Sequence, residues 1–381
     1  MKRIKYFSYY GCLDPKRIRY NSPAADTKID YIIEVFNRIG YRVDHISMAS
    51  ASTSHWQSGF VDIHSPNTFR YFASFGQGNS VLRALNRKLI MLQCFLWCLF
   101  SIKHNEQILV YHSLGYDSLF LLLKKLKNIR IIGEIEEIYQ DVFRQKSSQE
   151  RDEYRFIEIC DKYVFPNTIL NEQLNIAAKP YLVCHGIYNV SEHKPVSFND
   201  GKIHVLYAGT YDPNKGGAVA SVRAAQFLDE RYHLHVTGFG RKEHEAIVCA
   251  EIEHVRPHTK CMISFHGYLD DSRFRDLMQH CSIGLCTQDP TSQLNLTSFP
   301  SKILNYMANG LTVISGRNRA IEESAVGDLI TYYDVQSSES IAQSIMAVQN
   351  QNCESGIDRL RFLDSEFEKE LRFILSNNRE A

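Results

Sequence analysis

The sequence predicts an α/β protein built on parallel sheets, because strand-like and helix-like segments alternate along most of the chain. A polar stretch from residue 190 to residue 202, which contains Pro195 and Gly201 and has no periodicity, divides this alternation into two series. A second alternating series follows it. The chain has 381 residues, enough for two domains of roughly 150 residues each. We therefore predict an N-terminal domain of residues 1–190, a C-terminal domain of residues 200–355 and a charged helical tail of residues 356–381.

The first series opens with the apolar segment RIKYFSYYG, which predicts a strand. Residues 24–38 predict a helix, because their apolar residues fall on one stripe, and Gly40 ends it. Residues 50–80 are rich in Ser, Asn, Gly and aromatic residues and give no assignment. Further strands are predicted at YRVDHISMA, ILVYHS, IRIIGEIEEIY, CDKYVFPN and PYLVCHG, with a helix at YDSLFLLLKKLK.

The second series has the same alternating character. Strands are predicted at HVLYAGT, YHLHVTGFG, MISFHGYL, SIGLCTQ and LTVISG. Helices are predicted at AVASVRAAQFLDE, SRFRDLMQHC and KILNYMANG.

Charge is balanced overall but uneven along the chain. Lys plus Arg and Asp plus Glu each total 43. Residues 1–190 contain 24 basic and 18 acidic residues, and residues 191–381 contain 19 basic and 25 acidic residues. Either the N-terminal half faces an anionic partner, such as phospholipid headgroups or a phosphorylated substrate, or the difference is ordinary scatter.

An apolar helix is predicted over residues 89–102, with cationic residues on both sides. It is shorter than the ~20 residues needed to cross a bilayer, so it is either buried or lies in the headgroup region as a peripheral membrane contact. The N-terminus lacks the apolar core of a signal peptide, and the ten cysteines form no CxxC pair. We predict a cytoplasmic protein, in contact with the inner face of the cell membrane if the helix is interfacial.

Two turns of the second series suit a phosphate. In VLYAGTYDPNKGG a strand ends at Gly209, and Lys215 stands just before the next helix, where its charge and the helix N-terminus can bind an anion. In YHLHVTGFG the strand ends in Gly238 and Gly240, at an edge where open α/β sheets bind ligands. Lys-Gly turns are common, and strand–turn packing explains a lone GxG equally well.

A third turn of this kind is the segment SFPSKILNYMANG. Ser298 or Ser301 can cap the helix that it predicts, and Lys302 adds a positive charge. Asn305 lies one turn further on, on the same face as Ser301. Three such turns at the ends of successive strands indicate a nucleotide-binding domain.

With these motifs the sequence resembles the retaining glycosyltransferases of the GT-B fold, family 4 in particular. The resemblance covers most of residues 200–350 and, more faintly, residues 1–190. It implies two Rossmann-like domains that face each other across a cleft, with the C-terminal helices returning toward the N-terminal domain. The family's signature has two glutamates that contact donor sugar and ribose, and here Thr297 and Asn305 occupy those positions. Thr210 stands where the family usually has an arginine.

The resemblance implies a donor site in the C-terminal domain and an acceptor site in the N-terminal one. Lys215 and Glu136 take the catalytic roles, the lysine on the donor's diphosphate and the carboxylate on the acceptor. His185 precedes the linker, where relatives have a turn on the nucleotide side. The donor-binding residues are Gly209, Thr210, Lys215, Gly238, Gly240, Thr297, Ser298, Ser301, Lys302 and Asn305. The acceptor-binding residues are Gly11, Asn21, His112, Glu134 and Glu137.

Several of these residues also have an ordinary structural reading. The glutamates after IRIIG can form a solvated acidic turn, and His112 can be a buried or capping histidine. If the strand alternation continues past Gly133, Glu134 and Glu136 share one face and Glu137 lies on the other.

The resemblance implies a hexosyltransferase-type enzyme that transfers a sugar from a nucleotide-diphosphate sugar to an acceptor hydroxyl with retention. It implies neither a metal nor a further cofactor. The expected partners are the nucleotide sugar and a glycan or lipid-linked glycan acceptor of surface polysaccharide or glycolipid synthesis, and no nucleic acid. A sugar-nucleotide epimerase and a non-catalytic subunit that binds sugar or nucleotide are the alternatives, and a dinucleotide-dependent oxidoreductase is disfavoured because no GxGxxG follows the first strand.

Overall fold

The structure is a computed structural model. It describes residues 1–12, 14, 16–19, 22–53, 55–76, 78–139, 148–190, 196, 198–213, 215–289, 298–348 and 353–376. The predicted site residues Asn21 and Thr297 lie outside the described residues. The chain forms two compact units. One contains residues 1–166, 170–184 and 367–381, and the other contains residues 167–169 and 185–366.

The first unit is built on a sheet whose described strands have the order β3-β4-β2-β1-β5-β6-β7-β8. All neighbours pair in parallel except the hairpin of β3 and β4, which is antiparallel. The hairpin lies in the stretch that gave no assignment from the sequence. The strands are β1 Lys2–Ser8, β2 Tyr41–Ser47, β3 Phe60–His64, β4 Asn67–Tyr71, β5 Gln107–Tyr111, β6 Arg130–Glu134, β7 Lys162–Phe165 and β8 Tyr181–Val183.

The helices of the first unit cover an apolar sheet. The first helix begins with a proline, whose missing N–H costs nothing at that position, and Gly40 follows its end with a φ of 86°. Apolar residues of β1, β5 and β6 form one core with the buried faces of α2 and α3. These helices are α1 Pro23–Arg38, α2 Ser80–Ser101, α3 Asp117–Lys127, α4 Ser148–Ile159 and α5 Thr168–Leu174.

The second unit is built on a separate sheet, with the described strands in the order β11-β10-β9-β12-β13-β14 and every pair parallel. Its core lies between this sheet and the helices that cover it. The strands are β9 Ile203–Thr210, β10 Tyr232–Phe239, β11 Met262–Gly267, β12 Ile283–Cys286, β13 Thr312–Gly316 and β14 Thr331–Tyr333.

The helices of the second unit follow the strands in the alternation that the sequence predicts. The predicted α/β class with parallel sheets is confirmed in both units. The helices are α6 Gly217–Ala224, α7 Lys242–Val255, α8 Asp271–His280, α9 Lys302–Ala308, α10 Arg319–Glu322, α11 Ser338–Ala347 and α12 Cys353–Ser376.

The chain passes from the first unit to the second between Cys184 and His185, a few residues before the predicted boundary. From Phe367 onward α12 belongs to the first unit, although the strands and helices before it belong to the second. Among the described residues, no helix combines the length and the apolar character needed to cross a membrane.

Candidate functional site

The carboxyl ends of β9 and β10 meet at two glycines of the second unit. Gly209 and Gly238 are partners in the parallel pairing of these strands. A Cβ atom on Gly238 would lie 1.7 Å from the carbonyl oxygen of Gly209, and one on Gly240 would lie 3.1 Å from the Cβ of Tyr211. The GxG motif therefore has a packing reason, and its glycines add no side chains of their own to this edge of the sheet.

Two lysines come close to this edge from different segments. The Nζ of Lys302 lies 4.4 Å from the centroid of the Tyr207 ring, and a Cβ on Gly209 would come within 2.6 Å of it. The pKa of Lys302 is lowered to about 8, chiefly by removal from water; Cys286 opposes the shift, and the charge of Lys215 makes a smaller contribution to it. Lys302 and Lys215 thus both add positive charge near this edge of the sheet, and positive charge there attracts a multivalent anion.

Lys215 lies on a tight turn between β9 and α6. Its backbone N–H donates to the carbonyl oxygen of Asp212 at 3.0 Å, and that of Gly216 donates to the same oxygen at 3.2 Å. Gly216 has a φ of 64°, in the left-handed region that glycine tolerates without strain. Thr210, at the start of the turn, accepts a hydrogen bond on its carbonyl oxygen from the hydroxyl of Tyr207 at 3.0 Å.

The helix that begins with Lys302 is held in place by Tyr306. The Tyr306 hydroxyl accepts a hydrogen bond from the backbone N–H of Ala208 at 2.8 Å, and its ring packs against Gly284, where a Cβ would lie 2.4 Å from it. Tyr306 is fully buried. It was not among the predicted site residues, and the sequence gives no sign of its role beyond an aromatic residue within the motif.

The predicted serine cap of this helix is wrong for Ser301. Ser301 precedes the helix in a helical conformation, and its side chain makes no capping hydrogen bond. Ser301 and Asn305 are both exposed, as their spacing predicts, and Ser298 is half-buried. The Asn305 Oδ1 accepts from the Nδ2 of Asn309 at 3.3 Å.

His185 packs against the same motif from a distant part of the sequence. Its ring centroid lies 5.0 Å from that of Phe299, and its Nε2 accepts a hydrogen bond from the backbone N–H of Ala325 at 3.2 Å. A Cβ on Gly186 would lie 2.9 Å from the side chain of Leu304. His185 is buried, so its observed contacts hold the SFPSK segment in position.

In the first unit the carboxyl end of β6 carries a buried acid. Glu134 is the last residue of β6, its side chain is 0% exposed, and its Oε2 accepts a hydrogen bond from the Tyr6 hydroxyl. Burial raises the pKa of Glu134 to about 8, and the neighbouring Glu136 adds to the rise, whereas Lys28 and Tyr6 oppose it. This carboxyl therefore retains its proton at neutral pH in most molecules.

Glu136 has a cationic partner. The Nζ of Lys28 lies 3.4 Å from Glu136 Oε1 and donates to the carbonyl oxygen of Cys184 at 3.0 Å. The expected division of the glutamates between two faces does not hold, because β6 ends at Glu134 and the backbone of Glu136 and Glu137 is not strand. Lys28 was missed from the sequence, where it is one polar residue beside the apolar stripe of a helix.

The other acceptor candidates of the first unit have structural contacts. The backbone N–H of Gly11 donates to the carboxylate of Asp26 at 3.2 Å. His112 is 0% exposed, its ring stacks on Phe156 at 5.5 Å, and burial lowers its pKa to about 3. His112 is thus a buried histidine, which is one of the two roles that the sequence left open, and it is not exposed to bind an acceptor.

The match to a known family falls on the second unit. Residues 202–351 match the family described as Glycosyl transferases group 1. The second unit is a group 1 glycosyltransferase domain. No curated protein matches the chain in sequence.

Solved structures of the GT-B fold match over nearly the whole chain. The α,α-trehalose 6-phosphate synthase of Burkholderia multivorans is 10% identical, with a TM-score of 0.68 over 98% of this chain and 96% of that one. Anabaena HepE, solved in complex with UDP, is 12% identical, with a TM-score of 0.62 over 99% and 100%. The catalytic domain of starch synthase IV from Arabidopsis thaliana, bound to ADP and acarbose, is 9% identical, with a TM-score of 0.63 over 97% and 98%. At these identities the likeness shows the fold.

The expected GT-B glycosyltransferase is therefore confirmed as a class. The group 1 match includes all the described donor candidates, from Gly209 to Asn305. The structure brings Gly209, Gly238, Lys215 and Lys302 to one edge of one sheet, whereas the roles of the individual residues stay predictions.

Proposed function

We propose that this glycosyltransferase transfers a sugar from a nucleotide-diphosphate donor to an acceptor hydroxyl with retention of anomeric configuration. The observation that carries the proposal is the position of the Lys302 ammonium group beside the backbone of Gly209, with Lys215 on the turn that follows the same strand. A diphosphate is the anion that fits two neighbouring cations at the carboxyl edge of a parallel sheet.

The two lysines supply what the chemical step needs. Negative charge develops on the leaving diphosphate as the bond from the anomeric carbon to its oxygen breaks. Cations that are already in place stabilise that charge without reorganisation, and partial removal from water strengthens the interaction. The glycines at 209, 238 and 240 leave room for the nucleotide, and Asn305 is placed to hydrogen-bond a ribose hydroxyl.

Ligands of the matching structures support this class of donor. HepE was solved with UDP, and starch synthase IV with ADP. A trehalose-phosphate synthase of Burkholderia xenovorans was solved with glucose-6-phosphate. From HepE and starch synthase IV we take a nucleoside diphosphate as the common feature and leave the base and the sugar open.

We further propose that the acceptor is a glycan on a membrane lipid, in the synthesis of a surface polysaccharide or a glycolipid. A cavity of about 710 Å³ in the first unit is lined by Arg83, Arg87 and Lys88 of α2 and by Gly115 and Asp117. Three cations at one cavity suit an acceptor with a phosphate group.

The helix that carries these cations also has an exposed apolar stripe, which we call the α2 stripe. Its five members lie within about 100° of one another around the helix axis. Lys88 lies on the same side of the helix. An apolar stripe with cations beside it is typical of helices that lie in the headgroup region of a membrane. The members, with their exposed fractions, are Val81 at 66%, Leu85 at 56%, Leu92 at 55%, Leu96 at 47% and Phe100 at 89%.

A donor screen tests the transferase proposal. UDP, GDP, ADP, CDP and TDP are added separately to the full chain, and thermal unfolding is recorded. At least one is expected to raise the melting temperature, and Lys215→Ala is expected to lose the shift. Lys260→Ala, which removes an exposed lysine of the same unit, is expected to keep it. Equal shifts in the Lys215 and Lys260 variants would contradict the proposal.

The matching nucleotide sugar is then incubated with lipid-linked acceptors, and the anomeric configuration of the product is determined by NMR. An inverted product would contradict retention. Thr297 and Asn305, at the positions of the family's two glutamates, favour one second candidate, a subunit that binds the nucleotide without turnover. Binding without transfer or hydrolysis across the donor and acceptor panel would support that candidate.

A further inference from the structure

Four histidines lie on one face of the second unit's sheet, and three of them, His204, His235 and His266, form a hydrogen-bonded row. His204 and His233 are partners in the pairing of β9 with β10, and His235 shares a face with His233 because it lies two residues along the strand. His204 Nδ1 lies 2.8 Å from His235 Nε2, and His235 Nδ1 lies 2.9 Å from His266 Nε2. Asp200 ends the row, with its Oδ1 at 2.9 Å from His204 Nε2.

Three of these imidazoles are shielded from water. The exposed fractions of His204, His233 and His235 are 4%, 8% and 3%. The ring centroid of Phe198 lies 4.1 Å from that of His204 and 5.4 Å from that of His235. His233 Nε2 contacts the Ser264 hydroxyl at 2.8 Å, but its Nδ1 is buried and has no hydrogen-bond partner. A buried polar atom without a partner is rare and costly, so this nitrogen points to a missing ligand.

One ring nitrogen from each of His204, His233 and His235 lies within 4.8 Å of the other two. We propose that these three nitrogens bind one divalent transition-metal ion, and that Zn²⁺ is the ion they suit best. Imidazole is a preferred Zn²⁺ ligand, and three protein ligands leave one tetrahedral position for solvent. Zn–N distances of about 2.0–2.1 Å place neighbouring nitrogens roughly 3.3 Å apart, so His204 Nδ1 and His235 Nε2 need to separate by about half an ångström, and both rings need to rotate because the two nitrogens point at each other in their hydrogen bond.

The second nitrogen of each imidazole already has a partner. Asp200 accepts from His204, Ser264 contacts His233, and His266 contacts His235. In metal sites such partners fix the tautomer and the orientation of the ligating ring. They leave His204 Nδ1, His233 Nδ1 and His235 Nε2 as the atoms that face the ion.

The protons balance without loss to solvent. The contact of His204 Nδ1 with His235 Nε2 holds one proton, and the ion needs a lone pair on both atoms. His235 can take the tautomer with hydrogen on Nδ1 and donate it to His266 Nε2, and His266 then carries its own hydrogen on Nδ1. Every imidazole stays neutral, so Zn²⁺ binding releases no net proton from this row.

The proposed site lies at the amino ends of the strands, since β9 begins at Ile203 and β10 at Tyr232. Lys215 and Gly238 lie at the carboxyl ends of the same strands. The ion therefore has a structural role, which joins β9 to β10, and it takes no part in sugar transfer.

The test uses the full-length, tag-free chain after removal of metal with a chelator. Titration of Zn²⁺ against a chromogenic chelator is expected to show one tightly bound equivalent, which raises the melting temperature. Co²⁺ is expected to give the visible absorption of a nitrogen-ligated tetrahedral ion. His233→Gln and His235→Gln are expected to lose the bound equivalent, whereas the exposed His104→Gln keeps it.

Asp200→Asn keeps the test decisive if the buried histidine variants misfold. Asp200 is exposed, so this variant is expected to fold, and loss of its carboxylate is expected to weaken Zn²⁺ binding about 10- to 100-fold. The proposal is overturned if the wild-type chain binds no Zn²⁺ equivalent, if His233→Gln binds it as tightly as wild type, or if Asp200→Asn leaves the affinity unchanged.

Discussion

The hydroxyl of Tyr306 accepts a hydrogen bond from the backbone N–H of Ala208, and so joins helix α9 to the carboxyl end of β9. The pairing of β12 with β9 includes only Val205 and Leu206 of β9, and the Tyr306 hydroxyl bonds β9 two residues beyond the point where this pairing ends. The same hydroxyl lies 3.4 Å from the carbonyl oxygen of Leu285, and these contacts position the start of α9, where Lys302 lies, relative to the edge where Gly209 lies.

Tyr306→Phe is expected to lower the free energy of unfolding by about 1–3 kcal/mol, because it leaves the buried N–H of Ala208 without an acceptor. It is also expected to weaken nucleoside diphosphate binding. Urea unfolding followed by circular dichroism measures the first effect, and calorimetry the second. The exposed Tyr268→Phe serves as control and is expected to stay within about 0.5 kcal/mol of wild type. Equal stability of the two variants would show that the Tyr306 bond adds nothing.

We expect nucleotide binding to depend on pH because the pKa of Lys302 is lowered. Its pKa of about 8 in the free protein must rise when a diphosphate binds beside it, so binding takes up a proton above pH 8. Affinity for UDP, or for whichever diphosphate binds, is expected to fall as pH rises from 8 to 9, by at most about tenfold per unit. Calorimetry in two buffers of different ionisation enthalpy measures the proton uptake.

Lys302→Arg keeps its charge across this range and is expected to flatten the pH profile, while Lys302→Ala is expected to weaken binding at every pH. Lys260→Arg is the matched control and is expected to show the wild-type profile. A wild-type affinity that stays constant between pH 7 and pH 9 would remove Lys302 from the diphosphate site.

Glu134 predicts a pH dependence of stability. Its pKa is about 8 in the folded protein and ordinarily 4.5, so between these values the folded state holds more protons than the unfolded state. The free energy of unfolding therefore falls as pH rises through this window.

Glu134→Gln carries no titrating proton, and its side-chain oxygen still accepts the hydrogen bond from Tyr6. Relative to wild type, it is expected to gain stability from pH 5 to pH 8, by at most about 1.4 kcal/mol per unit. Chemical unfolding at several pH values measures the difference, with the exposed Glu158→Gln as control. If Glu134→Gln and wild type gave parallel stability curves, the carboxyl would be ionised in the folded protein.

The α2 stripe predicts binding to anionic vesicles. In co-sedimentation, the protein is expected to bind phosphatidylglycerol–phosphatidylcholine vesicles and not pure phosphatidylcholine. Leu92→Asp combined with Leu96→Asp is expected to weaken binding more than about tenfold, since each leucine contributes roughly 1.5 kcal/mol or more when buried. Ile176→Asp, at a residue 91% exposed elsewhere in the first unit, is the control. Equal binding of both variants would argue against a membrane role for the stripe.

Local motifs made much of the second unit predictable. Gly209, Gly238 and Lys215 each stand at a junction between a strand and a loop or helix, where the sequence pattern alone fixes their place on the sheet edge. Lys302 was predictable for the same reason. What the pattern could not supply is that the Lys302 ammonium group lies beside Gly209, because that position depends on the bond between Tyr306 of α9 and Ala208 of β9.

Side chains whose role depends on distant partners were missed. The hydrogen bonds that define the roles of Lys28, Tyr306 and the histidine row join residues about 30 to 160 positions apart in the sequence. No local spacing in the sequence predicts those pairs. The opposite error occurred for Glu136 and Glu137, where the alternation of a strand was extended beyond the point at which β6 ends. A hairpin, β3–β4, went unassigned because its residues are mostly polar or half-buried.

Helix α12 makes the first unit discontinuous along the chain. Phe367 stacks on Tyr31 with ring centroids 6.2 Å apart, Lys162 donates to the carbonyl oxygen of Ile374, and Arg372 donates to that of Arg38 at 3.1 Å. A fragment that stops at Cys184 lacks all of these partners, as does a protein shortened by a stop codon before Phe367. Residues 367–376 thus complete the part of the protein that is synthesised first, and the ribosome must translate the whole second unit before that part can close.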